Sequence, residues 1–222
     1  MLHPTPGAAR ASPGALTRYA PSARVSTNAL GSLPNMATTK VYLVRHAHAA
    51  WAADESRPLS ESGHAAAVTI AALLSAIPLA AIYSSPARRS IQTVELLAQR
   101  LGVRVDVVPE LRERHLPVVP SGDFERIVRE TWRFPTDTTG DGESNAVAQT
   151  RGLAAVHQFI RRHPGQHVVV ATHGNLLALI LNGFDPSFGY EFWRELSFPD
   201  VYELEFEATR LVRVRRIWEK AA

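Results

Sequence analysis

Val41-Tyr42-Leu43-Val44-Arg45-His46-Ala47 decides the reading of this chain: a strand-forming apolar run passes directly into an arginine and a histidine. A second run, Val168-Val169-Val170-Ala171-Thr172, passes in the same way into His173-Gly174. Short continuous runs of this kind, rich in β-branched residues, suit strands buried on both faces. In an open α/β sheet the ligand crevice lies beyond the C-terminal strand ends. Both imidazoles are therefore expected to share one pocket.

Outward from these two runs, strand-like and helix-like segments alternate. Pro58-Leu59-Ser60 introduces a helix with Ile70, Leu73, Leu74 and Ile77 at helical spacing, stopped before Pro78. A strand is predicted over 80–84, a helix over 87–101 with Gly102 as its stop, and a strand over 103–108. The stretch 109–142 is irregular, with prolines at 109, 117, 120 and 135 and one short helix over 123–132. A loop region that long usually serves function, here as a pocket wall. A helix over 144–163 follows; Arg161, Arg162 and His163 suit its negative end, and Pro164-Gly165 stops it. Then come a strand over 167–172, helices over 175–181 and 186–196, and strands over 201–206 and 211–217. Glu203, Glu205, Arg213 and Arg215 give the last two strands a solvated face near a sheet edge. The expected fold is a three-layer α/β/α sandwich with a mostly parallel mixed sheet, occupying residues 39–222.

Composition narrows the function classes. The 222 residues include no cysteine, which excludes disulfides, thiolate catalysis and cysteine metal sites. That suits a reducing compartment, and a cytoplasmic location is expected. No apolar stretch is long enough to span a bilayer, so no membrane association is expected. The net charge of +3 is not gathered into a basic, aromatic-laced stripe, so no nucleic-acid partner is expected. A homodimer is admitted but not required. Residues 1–38 are rich in Ala, Ser, Pro, Gly and Thr, and no acid precedes Asp54. They read as a disordered extension, either an over-extended start ahead of Met36 or a targeting segment.

Five motifs then stand in order: Arg45-His46; Ser84-Ser85-Pro86-Ala87-Arg88-Arg89-Ser90-Ile91-Gln92-Thr93; Leu111-Arg112-Glu113-Arg114-His115; Gly142-Glu143-Ser144; and Thr172-His173-Gly174. Together they resemble the histidine phosphatase superfamily, also called phosphoglycerate mutase-like, over about residues 40–206. The resemblance implies that fold, a phosphohistidine on His46, and a hydrogen bond from His173 to a phosphate oxygen. It implies Glu113 as general acid and then general base, with Asp137, Asp141 and Glu143 as competitors for that role. Arg45, Arg89, Gly174 and Ser144 are the expected substrate-binding companions.

Elementary chemistry agrees with these roles. A phosphoryl group in transfer spreads negative charge over its oxygens, and planar guanidinium forks match that geometry. An imidazole attacking phosphorus splits one displacement into two. Neighbouring guanidiniums are expected to lower the pKa of His46 and keep one nitrogen neutral. No metal and no cofactor is expected, because no His-x-x-x-His helix or carboxylate cluster appears and Arg45 would repel a cation.

The remaining candidates read as structural. Arg88 belongs on the rim or in solvent, Arg112 and Arg114 at the surface or in salt bridges, and His64, His157, His163 and His167 at the surface or in caps. His115 stays open. The motif also departs from the family, which shows Gly-Glu-Thr or Gly-Glu-Ser after the first histidine and then often Trp-Asn. Here Ala47, His48 and Ala49 follow, then Trp51-Ala52. Ala47 implies a backbone open to L-residues or modest strain, and His48 sets a titratable group near the mouth.

The resulting expectation is a phosphoric monoester hydrolase, a metal-independent histidine acid-type phosphatase, acting on a small phosphorylated metabolite. The alternatives are phosphoglycerate mutase-type transfer and a catalytically silent phospho-ligand binding module.

Overall fold

A computed structural model describes residues 38–50, 56–117 and 121–219. The extension expected over 1–38 thus lies, but for its last residue, outside the described residues, as do Trp51 and Ala52. From Thr39 onward the elements are β1 (Thr39–Arg45), α1 (Glu61–Leu74), β2 (Leu79–Ser84), α2 (Arg88–Leu101) and β3 (Val105–Val107). They continue with α3 (Phe124–Arg133), α4 (Asn145–Arg162), β4 (His167–Thr172), α5 (Gly174–Phe184), α6 (Tyr190–Glu195), β5 (Asp200–Glu207) and β6 (Arg210–Arg216).

The strands form one sheet in the order β3-β2-β4-β1-β5-β6. β1, β2, β3 and β4 run parallel, while β5 lies antiparallel to both β1 and β6. The expected mixed sheet with an antiparallel edge is present. Alternation along the strands divides the core in two. Val41, Leu43, Val168 and Val170 pack with Val156 and Phe159 of α4 and Leu177 of α5. Tyr42, Val44, Val169 and Ala171 face Ile70 and Leu74 of α1 and Val94 and Leu97 of α2. Helices therefore cover both faces, which is the three-layer arrangement. Helix α5 is apolar on nearly every side and buried from Gly174 through Leu181. Gly152 of α4 lets it approach, since a Cβ there would stand 2.8 Å from Ile180 Cγ1.

Local signals set the helix ends. Ser60 caps α1 by accepting from the Gly63 N–H (3.1 Å). Gly102 closes α2 in the left-handed conformation at φ 66°, and Val103 N–H returns to the Ala98 carbonyl. That return takes 103–104 out of the strand predicted there, so β3 keeps three residues. The helix expected over 186–196 shrinks to α6, because Asp185 instead accepts from the Ser187 N–H in a turn.

Strands β1 and β4 are neighbours, yet β1 continues to α1 on one face and β4 to α5 on the other. Their shared C-terminal end is the topological switch point, where a crevice opens. The register pairs Arg45 with Thr172, and His46 N–H donates to the Thr172 carbonyl at 2.9 Å. The next residues are His46 and His173. Among the described residues no helix is long and apolar enough to cross a membrane.

Candidate active site

The two imidazoles meet edge to face, with ring centroids 5.1 Å apart and planes at 67°. Arg89, on the first turn of α2, reaches both: Nε lies 3.3 Å from His46 Nε2, and Nη2 lies 3.3 Å from His173 Nδ1. A guanidinium only donates, so both of those ring nitrogens are acceptors. The tautomers assigned from this network put the His46 proton on Nδ1, which donates to the Ala47 carbonyl at 2.7 Å. The His173 proton then sits on Nε2, facing Ser85 Oγ at 2.7 Å. Ser85 Oγ in turn accepts from the Ala87 N–H, so the Ser-Ser-Pro turn fixes the second histidine as well as aiming Arg89.

His46 thus presents an unprotonated Nε2 beside a cation. Burial is the main cause that pushes its pKa down to about 3, with Arg89, Arg45 and Arg57 acting in the same direction against the Ala47 carbonyl. The guanidiniums act as expected, and burial, which the sequence reading did not include, counts for more than their charge. His173, wholly enclosed, is also held well below the ordinary imidazole value, first by burial and then by His46 and Arg89. Both rings are neutral at physiological pH.

Arg45 is held from three sides. Its Nη1 donates to the carbonyls of Leu196 (2.9 Å) and Ser197 (3.3 Å), and Phe198 stacks on its guanidinium. Gly174 supplies the third side, since a Cβ there would fall 3.0 Å from the guanidinium carbon. Its carbonyl partners belong to a tethered loop. Asp200, fully buried, accepts from Arg216 Nε (2.8 Å) and Nη2 (2.9 Å) and from the Ser197 N–H (3.0 Å).

Arg45, His46, Arg89, Glu113, His173 and Gly174 line a single cavity of about 790 Å³. Glu113 is the one carboxylate among the described lining residues. Its Oε1 accepts from the N–H groups of Arg114 (2.8 Å) and Leu176 (3.0 Å), and its Oε2 from that of Asn175 (3.1 Å). The carboxylate therefore sits on the N-terminus of α5, within the same crevice as His46. Asp137 and Asp141 are exposed and line no part of the cavity. Glu143 is engaged by Arg151 through two 2.7 Å contacts and by Arg112 at 3.4 Å, also outside the lining.

Ser144 is not brought to the cavity. It is buried as the N-cap of α4, where Oγ accepts from the Val147 N–H at 3.2 Å. His173 has both ring nitrogens occupied, so here it braces Arg89, and donation to a phosphate oxygen requires the ring to turn. Arg88 is exposed, as expected. Ala47 adopts a negative φ and donates its N–H to Thr93 Oγ1 (3.0 Å), so no glycine is needed there. His48 stands exposed with Nδ1 2.9 Å from the α1 cap Ser60. His115 is exposed on the cavity wall. His163 ends α4 and meets Tyr83 Oη at 2.8 Å.

The main departure is Arg114. Read from the sequence as a surface or salt-bridge residue, it is buried and lines the cavity, whereas Arg112 is exposed and paired with Glu143. Phe198, Trp193, Phe124 and Arg57 complete the wall and were not singled out from the sequence. Among the described residues no group of three or more His, Asp or Glu side chains is arranged to hold a metal ion.

The family model of the histidine phosphatase superfamily (branch 1) matches residues 41–217. A metal-independent phosphoserine phosphatase of Arabidopsis thaliana is 30% identical over 159 residues, covering 64% of this chain and 67% of the relative. A probable phosphoglycerate mutase, GpmB, of Cronobacter sakazakii is 27% identical over 157 residues, covering 64% and 73%. Among solved structures, a mycobacterial glucosyl-3-phosphoglycerate phosphatase superposes with a TM-score of 0.67 at 23% identity, over 83% of this chain and 100% of that one.

Proposed function

The chain belongs to the histidine phosphatase superfamily, and from that membership we propose that it is a metal-independent phosphomonoester hydrolase working through a phosphohistidine on a small phosphorylated metabolite. The observation that carries the proposal is the tautomer of His46. Its Nδ1 proton is fixed on the Ala47 carbonyl, and the unprotonated Nε2 accepts from Arg89 Nε at the cavity lining, a contact it gives up to attack phosphorus.

In the first step Nε2 attacks phosphorus and the bond to the leaving oxygen breaks. Arg45 and Arg89 neutralise the equatorial oxygens, a role that needs no metal ion. The leaving oxygen takes a proton from Glu113, which must first be protonated and give up at least one of its backbone N–H contacts. In the second step water attacks phosphorus, Glu113 takes its proton, the P–N bond breaks, and inorganic phosphate leaves. The retained acid and nucleophile in one cavity favour turnover over silent capture. A cytoplasmic setting suits the cysteine-free composition.

The test is hydrolysis of para-nitrophenyl phosphate in the presence of a chelator, followed by alkaline quenching with radiolabelled substrate. Wild type should carry label on His46 during turnover, and His46→Ala should carry none and turn nothing over. Normal turnover with no trapped label would overturn the covalent route. No turnover between about pH 5 and 8, which spans carboxyl and imidazole titration, would favour the binding module.

A further inference from the structure

Four consecutive carbonyls run up to and through Glu113, and side chains from distant parts of the chain hold every one of them. Arg151 of α4 donates to those of Glu110, Arg112 (2.9 Å) and Glu113 (3.3 Å). Thr172 Oγ1, at the end of β4, donates to that of Leu111 at 2.8 Å. Beyond the short turn Pro109–Leu111 this stretch belongs to no helix and no strand. Backbone without a ladder of its own must find its partners elsewhere, and here most of them come from one arginine.

Arg151 has nothing left to give. Its Nε and Nη2 grip the Glu143 carboxylate, both at 2.7 Å, while Nη1 and Nη2 also take the three carbonyls. A guanidinium carries five N–H groups, and each has an acceptor. The Arg151 side chain is 12% exposed and that of Glu143 8%. Glu143 reaches back to the same stretch, accepting from the His115 N–H at 3.4 Å. The pair therefore holds main chain on both sides of Glu113.

Neither Arg151 nor Glu143 lines the cavity, so neither meets substrate. What they hold is the backbone of the residue that does. Glu113 has to leave some of its N–H contacts on α5 before it can protonate a leaving oxygen. If its main chain drifted at the same time, the acid would arrive out of reach. We infer that Arg151, locked by Glu143, is a positioning residue for Glu113, fixing the main chain so that only the carboxyl group moves. The inference rests on the hydrolase reading and deepens it.

The test measures kcat/KM on the full-length chain with two esters. Glycerol 3-phosphate has an alkoxide leaving group that needs a proton, and para-nitrophenyl phosphate has one that does not. Arg151→Met should lose about ten- to a hundredfold on the first, the scale of misplacing a reacting group, and no more than about threefold on the second. Arg151→Lys, which keeps the charge without the fork, should fall between Met and wild type. In a Glu113→Gln background Arg151→Met should cost no more than about twofold further, because the residue it serves is gone. Met leaves the Glu143 charge buried and unpaired, so Arg151→Met combined with Glu143→Gln repeats the measurement in a chain that carries neither charge.

A leaving-group dependence unlike that of Glu113→Gln, or losses that add in full to those of Glu113→Gln, overturns the inference and leaves the hydrolase reading standing. No turnover by wild type overturns that reading and the inference with it.

Discussion

The guanidinium carbon of Arg45 lies 3.4 Å from the centroid of the Phe198 ring, and that ring's own centroid is 5.4 Å from the His46 imidazole. One half-exposed phenylalanine thus covers both the cation expected to hold the phosphate and the base expected to attack it. Shielding of this kind fixes the guanidinium plane and raises the strength of its contacts by keeping water off one face.

Phe198→Ala should therefore weaken inhibition by inorganic phosphate or vanadate by about three- to tenfold, the scale of a partly desolvated cation–π contact. Phe198→Leu should recover little, since it restores bulk without a π face. Since the ring is 49% exposed, unfolding midpoints should barely move. Inhibition constants from steady-state assays check the prediction, and unchanged values would show that the stack does not organise Arg45.

Gly174→Ala separates activity from stability. Alanine suits a helix better than glycine, so the fold should be kept. The added methyl would press on the Arg45 guanidinium at 3.0 Å and push it off its two carbonyls. A fall of roughly ten- to a hundredfold in kcat/KM is expected, the scale of misplacing a charge-stabilising group. Kinetics and thermal unfolding on the same sample decide it.

Glu113→Gln should slow esters with poor leaving groups, such as alkyl phosphates, far more than para-nitrophenyl phosphate, which departs without a proton. Loss by equal factors on both would remove Glu113 from the acid role. Gln also keeps one acceptor oxygen for the N-terminus of α5, so loss of structure is not expected to confuse the comparison.

Acid should unfold this protein earlier than its carboxylates alone would require. His46 and His173 are neutral in the fold and titrate near pH 6.5 when unfolded, so below that value the unfolded chain binds more protons. Stability is therefore full above about pH 6.5 and falls as pH drops toward 3. Each ring contributes up to about 1.4 kcal/mol per pH unit in that window. Urea unfolding between about pH 7 and 5 should show this slope, reduced in His46→Gln. An equal slope in the variant would contradict it.

Much of this site could be read before any coordinates, because its anchors sit where patterns are strong. Apolar runs ending in His46 and His173 disclose strands and their ends together, and the turn before α2 places Arg89 by helix geometry. The pattern fails where backbone is irregular. Between Pro109 and Pro117 no period tells which of Arg112, Glu113 and Arg114 turns inward, so the buried guanidinium passed for a surface one. Phe198 lies in the four-residue link between α6 and β5, with no periodicity of its own. Ser144 stands at the start of the helix expected over 144–163, and a helix needing its first N–H groups satisfied took the hydroxyl expected to meet substrate.

The tie between Arg216 and Asp200 gives the outermost strand of the sheet an unexpected duty. Such a margin ordinarily tolerates change, since nothing beyond it depends on its side chains. Here β6 steadies the carbonyls on which a phosphate-gripping cation rests, although Arg216 itself lies outside the cavity lining. A substitution there that looks innocuous from the surface would reach the chemistry through two links of hydrogen bonding.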